Sequence, residues 1–409
     1  MVTPMAPANF SASLPCVTLK AGHVQPVWAG HPWVYSQAVQ RVEGGAAAGD
    51  EVAVVDPRGN FLGRGFYSPR SAIIVRLATR DTKVKLDAAW FRQRLSSALM
   101  LRQAIGLPSA QTDGFRLVHA EGDGLPGLIV DRFNNAAAIQ LTTIGMHVRR
   151  AIVIDAIQEV FGISTIVDRT PGTYAKAEGF EPEPGVVRGQ TQVDCFRFTE
   201  RGLHYEIPIE IGQKTGYYFD QRPLRARVEQ LSNGRRVLDA FCFVGSFALA
   251  AARGGAESVL AVDENVIALE AGARCAEANG FSDRISFSRV SVRSLLSPSA
   301  QAGKFGLVVL DPPSMAPSHR SLPRARKAMR WVIAQGCKVL GPGGLLVVSS
   351  CSAALDLDTL TRIVAIAAQD AGSHATVLER WFQGADHPVS AAFSEGLYLK
   401  SLIVRVEHH

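Results

Sequence analysis

Arg236-Val-Leu-Asp-Ala-Phe-Cys-Phe-Val-Gly-Ser-Phe247 reads as an apolar strand, a tight turn and the start of a helix. The apolar run Arg236–Ala240 carries a carboxylate near its end, and Gly245 sits in the turn into the helical segment Ser246–Gly254. Downstream, strand candidates recur at Ser258–Asp263, Ile285–Val290, Gly306–Asp311 and Gly344–Cys351, each rich in Val, Leu or Ile. Helical segments at Asn265–Asn279, Arg324–Leu340 and Asp358–Ala371 separate them. Near-continuous apolar strands alternating with helices predict a parallel sheet covered on both faces, a doubly wound α/β domain.

Upstream the texture differs. From Cys16 to Lys85, short apolar runs such as Asp50–Asp56, Phe61–Tyr67 and Ala72–Leu77 are broken by turn residues, which predicts a small β-barrel or sandwich. A helical period covers Ala88–Gly106, and Phe115–Ala120, Gly127–Phe133, Met146–Phe161 and Thr165–Asp168 suggest a small α+β unit. Gly179-Phe-Glu-Pro-Glu-Pro-Gly185 continues neither a helix nor a central strand and reads as a loop. The expected domains are 16–85, 86–205 and 206–409, and the chain length suits two or three such units.

Composition excludes several classes. Hydrophobic residues are 47% and charged residues 20%, so the chain is neither disordered nor collagen-like. Six Cys, none in a CxxC pair, are too sparse for a disulfide scaffold. No His/Cys/Asp cluster has metal-ligand spacing, so no metal is expected. Without a long uncharged apolar run or a signal-like N-terminus, the expectation is a cytoplasmic protein with no membrane partner. The net charge of +6 permits a polyanionic partner without requiring one.

Ligands of such sheets bind at the carboxyl ends of the strands. Asp239 ends the first strand, in a loop that lacks GxGxxG and so fits a dinucleotide poorly. Asp263 ends the second, where a carboxylate accepts from ribose hydroxyls. The pair suits S-adenosylmethionine, which needs no phosphate cradle; the same two residues also suit simple helix capping. The fourth strand ends in Asp311-Pro-Pro-Ser314, whose rigid backbone offers Asp311, Pro312 and Pro313 to a planar base. The fifth ends in Ser350-Cys-Ser352, and a thiolate at a strand end is placed as a nucleophile able to add to carbon 6 of a pyrimidine. Cys242 reads as packing, and the Asp386-His387 pair as a loop hydrogen bond. Arg320, Arg324, Arg326, Lys327 and Arg330 form a basic run after Asp-Pro-Pro, and Lys20, Arg58, Arg64, Arg70, Arg76, Arg80, Lys83 and Lys85 form another in the β module. Trp33, Tyr35, Phe66 and Tyr67 read as core residues.

At Gly212-Gln-Lys-Thr-Gly-Tyr-Tyr-Phe-Asp-Gln-Arg222, Asp239–Phe247, Asp311-Pro-Pro313, Ser350-Cys-Ser352, Asp386-His-Pro-Val389, Glu395–Lys400 and Glu121–Asp131, the chain resembles a known family. It is similar, over almost its whole length, to the RlmI-like, PUA-containing class I methyltransferases that form 5-methylcytosine in large-subunit ribosomal RNA. The resemblance implies a Rossmann-like class I methyltransferase domain, preceded by a β-barrel PUA domain and an α+β central domain. It implies S-adenosyl-L-methionine as cofactor, held by Asp239, Phe241, Gly245, Asp263, Ser291 and Asp311. Cys351 would be the covalent nucleophile and Asp311 would hold the target base, with Lys214, Tyr217, Arg222, Pro312, Pro313, Arg324 and Arg326 meeting the substrate. The expected partner is large-subunit ribosomal RNA, and a homodimer is allowed. Two positions depart from the family pattern: Ser291 replaces an Asp near the adenine, and Ser314 replaces a Lys after Asp-Pro-Pro. A methyltransferase for another base position, such as guanine N7, and an RNA-binding assembly factor without turnover remain alternatives.

Overall fold

The computed structural model describes residues 14–189, 193–211, 215–295, 302–315 and 321–409. Most of the expected N-terminal tail, Lys214 and Arg320 lie outside these residues. The described chain forms two compact units: residues up to 193 with Thr215 and 385–396, and residues 194–211, 216–384 and 397–409.

The first unit contains two sheets. A six-stranded sheet runs in the order Trp33–Tyr35, Ile73–Thr79, Phe61–Tyr67, Glu51–Val55, Cys16–Leu19, Val39–Glu43. Val17, Leu19, Val34, Val52, Val54 and Val75 fill its core. Burying side chains of this size contributes about 1.5–3 kcal/mol each. A five-stranded sheet runs Gly185–Arg188, Thr165–Asp168, Ala136–Leu141, Leu128–Phe133, Gly114–His119. Helices Ala88–Ala104 and Arg150–Phe161 share its core, the first capped by Asp87, whose carboxylate accepts from the Ala89 and Trp90 amides. Two of these strands were not expected. Ala136–Leu141 lacks a strand-like run of β-branched residues, and Gly185–Arg188 emerges directly from the proline-rich loop.

The second unit is built on a seven-stranded sheet. Its order is Ile285–Arg289, Ser258–Asp263, Arg236–Ala240, Phe305–Leu310, Leu340–Ser350, Lys400–His408, Ser373–Phe382. Six of these strands run in one direction, and Lys400–His408, between Leu340–Ser350 and Ser373–Phe382, is antiparallel to both neighbours. Helices Ser246–Arg253, Val266–Ala278, Leu322–Val339 and Leu357–Asp370 provide crossovers, the second and last capped by Asn265 and Asp356. Strand order reverses between Arg236–Ala240 and Phe305–Leu310, so Asp239 and Asp311 flank the point where such sheets open a ligand crevice.

One expectation about connectivity changes. A boundary at 205 would cut the strand Leu203–Pro208, which pairs with Cys195–Glu200. That hairpin docks on Val266–Ala278 through the His204 amide to Asn279 Oδ1 (2.9 Å) and Asn279 Nδ2 to the His204 carbonyl (2.8 Å), and so belongs to the second unit. Ser373–Phe382 pairs with Lys400–His408, but residues 385–396 between them fold with the first unit.

Candidate active site

The site grows from the carboxyl ends of the parallel strands. Asp239 is fully buried; its Oδ2 accepts from the Ala248 amide (2.9 Å), while Oδ1 has no protein partner. Burial pushes this carboxyl up to about 8; the Ala248 bond opposes that, and Asp311 and Asp263 add to it. The following loop has left-handed backbone at Phe241 (φ +63°), Phe243 (+51°) and Gly245 (+70°). Two non-glycine residues in that region store strain, the kind that clusters at ligand sites. A Cβ on Gly245 would also lie 2.7 Å from the Phe287 ring, so the glycine serves both the turn and close packing. Asp263 holds this loop: Oδ2 accepts from the Phe243 amide (2.8 Å) and Oδ1 from the Asn265 amide (2.9 Å). Asp239 and Asp263 thus cap local backbone as well as facing the crevice.

Asp311 follows the fourth strand, and Gln221 Nε2 donates to its Oδ1 at 3.0 Å. Tyr218 interacts electrostatically with the acidic groups of the site. Its hydroxyl is raised by burial, then by the charges of Asp311, Asp220, Cys351 and Asp263. Its ring meets Phe243 edge-on at 5.4 Å. Asp220 accepts from the Tyr398 hydroxyl at 2.5 Å.

The expected substrate contact at Tyr217 is corrected by the structure. Tyr217 is buried among Phe198, Tyr205 and Phe219, with the Arg225 guanidinium 4.9 Å from its ring centre. Arg222 is likewise committed to protein, donating to Glu200 at 3.2 Å beside the Arg225–Glu200 pair. Tyr218, Gln221 and Asp220 are the pocket residues of this segment. Sequence reasoning missed them because successive side chains of non-helical backbone point apart, and nothing local says which tyrosine is buried.

Cys351 directly follows the strand Leu340–Ser350 and is half-buried. Ser314 Oγ and Ser352 Oγ lie 3.3 Å apart, tying the Asp-Pro-Pro-Ser turn to the Ser-Cys-Ser turn. Ser291, expected at an adenine, instead accepts from the Ser294 amide (3.2 Å) and caps the short turn Val292–Leu295. Arg324 and Arg326 are exposed on the helix Leu322–Val339, whereas Arg330 is paired with Asp370. In the first unit, Arg64 is buried against Glu51 and the Val84 and Thr82 carbonyls, and Arg76 pairs with Glu178; neither is a surface cation. Lys20, Arg58, Arg70, Arg80, Lys83 and Lys85 are exposed. His387 is buried with its Nδ1 at 3.1 Å from Asp386, within a cluster that includes Arg102, Arg116 and Asp123.

The charges of Asp311 and Asp263 reach Asp239 in this crevice, and one buried oxygen of Asp239 has no protein partner. Such a site is incomplete without a ligand that brings positive charge and hydroxyl donors. S-adenosylmethionine, with its ammonium, sulfonium and ribose hydroxyls, fits that demand. Residues 186–400 match the S-adenosylmethionine-dependent methyltransferase family, and residues 17–80 match the PUA-like domain family. Ribosomal RNA large subunit methyltransferase I of Klebsiella pneumoniae is 37% identical over 397 residues, covering 96% of this chain and 98% of that protein. The chain belongs to this methyltransferase family. The enzyme of the same name from Yersinia pestis is 37% identical over 381 residues, covering 92% and 95% of the two chains. In fold, a chain from Streptococcus mutans described as a SAM-dependent methyltransferase superposes with a TM-score of 0.81 at 18% identity, covering 95% of this chain and 99% of its own. A methyltransferase complexed with SAH gives a TM-score of 0.82 at 19% identity, with the same coverage.

As a member of the large subunit methyltransferase I family, the protein uses S-adenosylmethionine, and its catalytic domain carries Asp239, Asp263, Asp311, Cys351 and Lys400 within the matched residues. Among the described residues, no helix is long and apolar enough to cross a membrane, and no group of three His, Cys, Asp or Glu is arranged to hold a metal ion.

Proposed function

We propose that the protein methylates carbon 5 of a cytosine in large-subunit ribosomal RNA, with Cys351 as the covalent nucleophile. The observation that carries this reading is the placement of Cys351. It ends a strand parallel and adjacent to the one that presents Asp311, and it interacts electrostatically with Tyr218 at the acidic crevice. Bound S-adenosylmethionine supplies an electrophilic methyl group on a sulfonium, with a neutral thioether as leaving group. The Cys351 thiolate adds to carbon 6, and the ring electrons move to carbon 5, which becomes nucleophilic enough to take the methyl. A solvent base then takes the carbon 5 proton, the electrons of that C–H bond re-form the C5–C6 double bond, and the S–C6 bond breaks with its pair on sulfur, restoring the thiolate. Asp311, oriented by Gln221, accepts from the cytosine N4 amino group, the donor edge that distinguishes cytosine. Pro312 and Pro313 keep that edge of the pocket rigid. Asp239 faces the ammonium of the cofactor and Asp263 its ribose, with Phe241 and Gly245 shaping the loop between them.

The named relatives support the RNA class, the PUA-like residues support RNA binding, and exposed Arg324 and Arg326 beside the Asp-Pro-Pro turn support a backbone path. Replacing Cys351 by Ala is expected to abolish methyl incorporation into ribosomal RNA while leaving S-adenosylmethionine binding intact by calorimetry. RNA carrying 5-fluorocytidine is expected to trap a covalent complex with the wild-type protein. Full activity in Cys351→Ala, or no trapped complex, would overturn the cysteine route and favour methylation of a ring nitrogen, which needs no adduct.

A further inference from the structure

Lys400 is buried, with 5% of its surface exposed, an unusual position for an amine. It starts the last strand of the sheet and lies directly opposite Ser350 across the antiparallel ladder, where a Ser349–Ser401 hydroxyl contact of 2.8 Å accompanies the register. Its Nζ donates to the Ser352 carbonyl at 2.9 Å. The side chain therefore runs from opposite the residue before Cys351 to the residue after it. Burial lowers the basicity of this amine, while the charges of Cys351 and Asp356 raise it. Asp356 caps the next helix through the Thr359 amide and is flanked by Arg326. Cys351 also interacts electrostatically with Tyr218, as do Asp311, Asp220 and Asp263. Those carboxylates disfavour a second negative charge on the nearby sulfur, and an ammonium at this place offsets them.

We propose that Lys400 is a positioning residue that fixes the Ser350–Ser352 turn through its bond to the Ser352 carbonyl and holds the Cys351 sulfur as thiolate. The proposal rests on the reading of Cys351 as nucleophile, yet its test does not depend on turnover. The pH dependence of iodoacetamide alkylation, followed at the Cys351 peptide by mass spectrometry in the full chain, reports thiolate content directly. In the wild-type protein the half-point is expected below that of an ordinary thiol, about pH 8.5. In Lys400→Met the half-point is expected to move up by about one unit, so that alkylation near neutral pH slows roughly tenfold, with methyl transfer falling mainly in kcat. Lys400→Arg, which keeps the charge, is expected to restore most of the profile. Thermal melting and S-adenosylmethionine affinity check that each variant is folded. A wild-type half-point at or above that of a free thiol would overturn the proposal even if Lys400→Met failed to fold. So would an unchanged profile in folded Lys400→Met. Retained activity in Cys351→Ala would instead overturn the nucleophile, leaving the alkylation result standing.

Discussion

Single residues decide how this site handles charge. Asp239 is pushed up to about 8 by burial, so near neutral pH its carboxyl is largely protonated in the unliganded protein. A cationic ligand prefers the carboxylate, so binding expels a proton. Affinity for S-adenosylmethionine is therefore expected to rise with pH up to about 8 and then level off. Below that, the loss approaches tenfold per pH unit, about 1.4 kcal/mol. Calorimetry between about pH 6 and pH 9 in buffers of different ionisation heat counts the proton released; a flat profile in the wild type would contradict the assignment. Asp239→Asn is expected to flatten the profile and to cost about 1.5–3 kcal/mol of binding, the worth of a charge-assisted hydrogen bond. The sequence marked Asp239, Asp263, Asp311 and Cys351 because strand ends are visible in the apolar pattern. It put Tyr217 at the substrate, yet nothing local separates Tyr217 from Tyr218: both are tyrosines in one irregular segment, and only the aromatic cluster on the hairpin 195–208 decides which is buried.

At the scale of elements, two local devices hold the crevice open. The strained loop after Arg236–Ala240 needs a glycine at 245, where φ is +70° and a side chain meets Phe287. Gly245→Ala is expected to destabilise by about 1–2 kcal/mol from the left-handed backbone alone, read as a lower urea midpoint at unchanged slope. The second device is the Glu200–Arg225 pair, buried on both sides, which joins the hairpin to the helix Arg222–Leu231 beside Tyr218 and Gln221. Glu200→Ala strands the Arg225 charge and is expected to cost about 3–5 kcal/mol in unfolding experiments. Glu200→Ala with Arg225→Met is expected to recover much of that; a cost for the double variant as large as for the single would show that the stranded charge is not the cause. The major helices were legible to within a few residues, since caps such as Asn265 and Asp356 and the apolar period are local signals. The hairpin 195–208 was not. Cys-Phe-Arg-Phe-Thr-Glu alternates as a half-buried strand should, but its partner face is a helix some seventy residues downstream, which no local pattern announces.

Across the whole molecule, the basic excess separates into two kinds of cation. Arg64 and Arg76 are internal braces, while Lys20, Arg58, Arg70, Lys83, Lys85, Arg324 and Arg326 face solvent. Only the second kind can displace counterions from RNA. Neutralising Arg324 and Arg326 together is expected to lower the steepness of log affinity against log salt by about 1.4–1.8, the effect of two lost phosphate contacts. Arg64→Gln is expected to leave that slope unchanged and to lower the melting temperature instead. A salt titration of fragment binding by fluorescence anisotropy separates the two outcomes. By itself the sequence determined five strands of the α/β domain and the four helices named with them, the carboxylates and thiol at strand ends, and the family, because these follow from apolar periodicity and short contiguous motifs. Tertiary structure alone decided which of two adjacent tyrosines is buried, which arginines are braces, and that a lysine forty-nine positions after Cys351 lies across the sheet from Ser350, the residue before that cysteine. Those outcomes depend on strand register and burial, which are set by contacts between residues far apart in the chain.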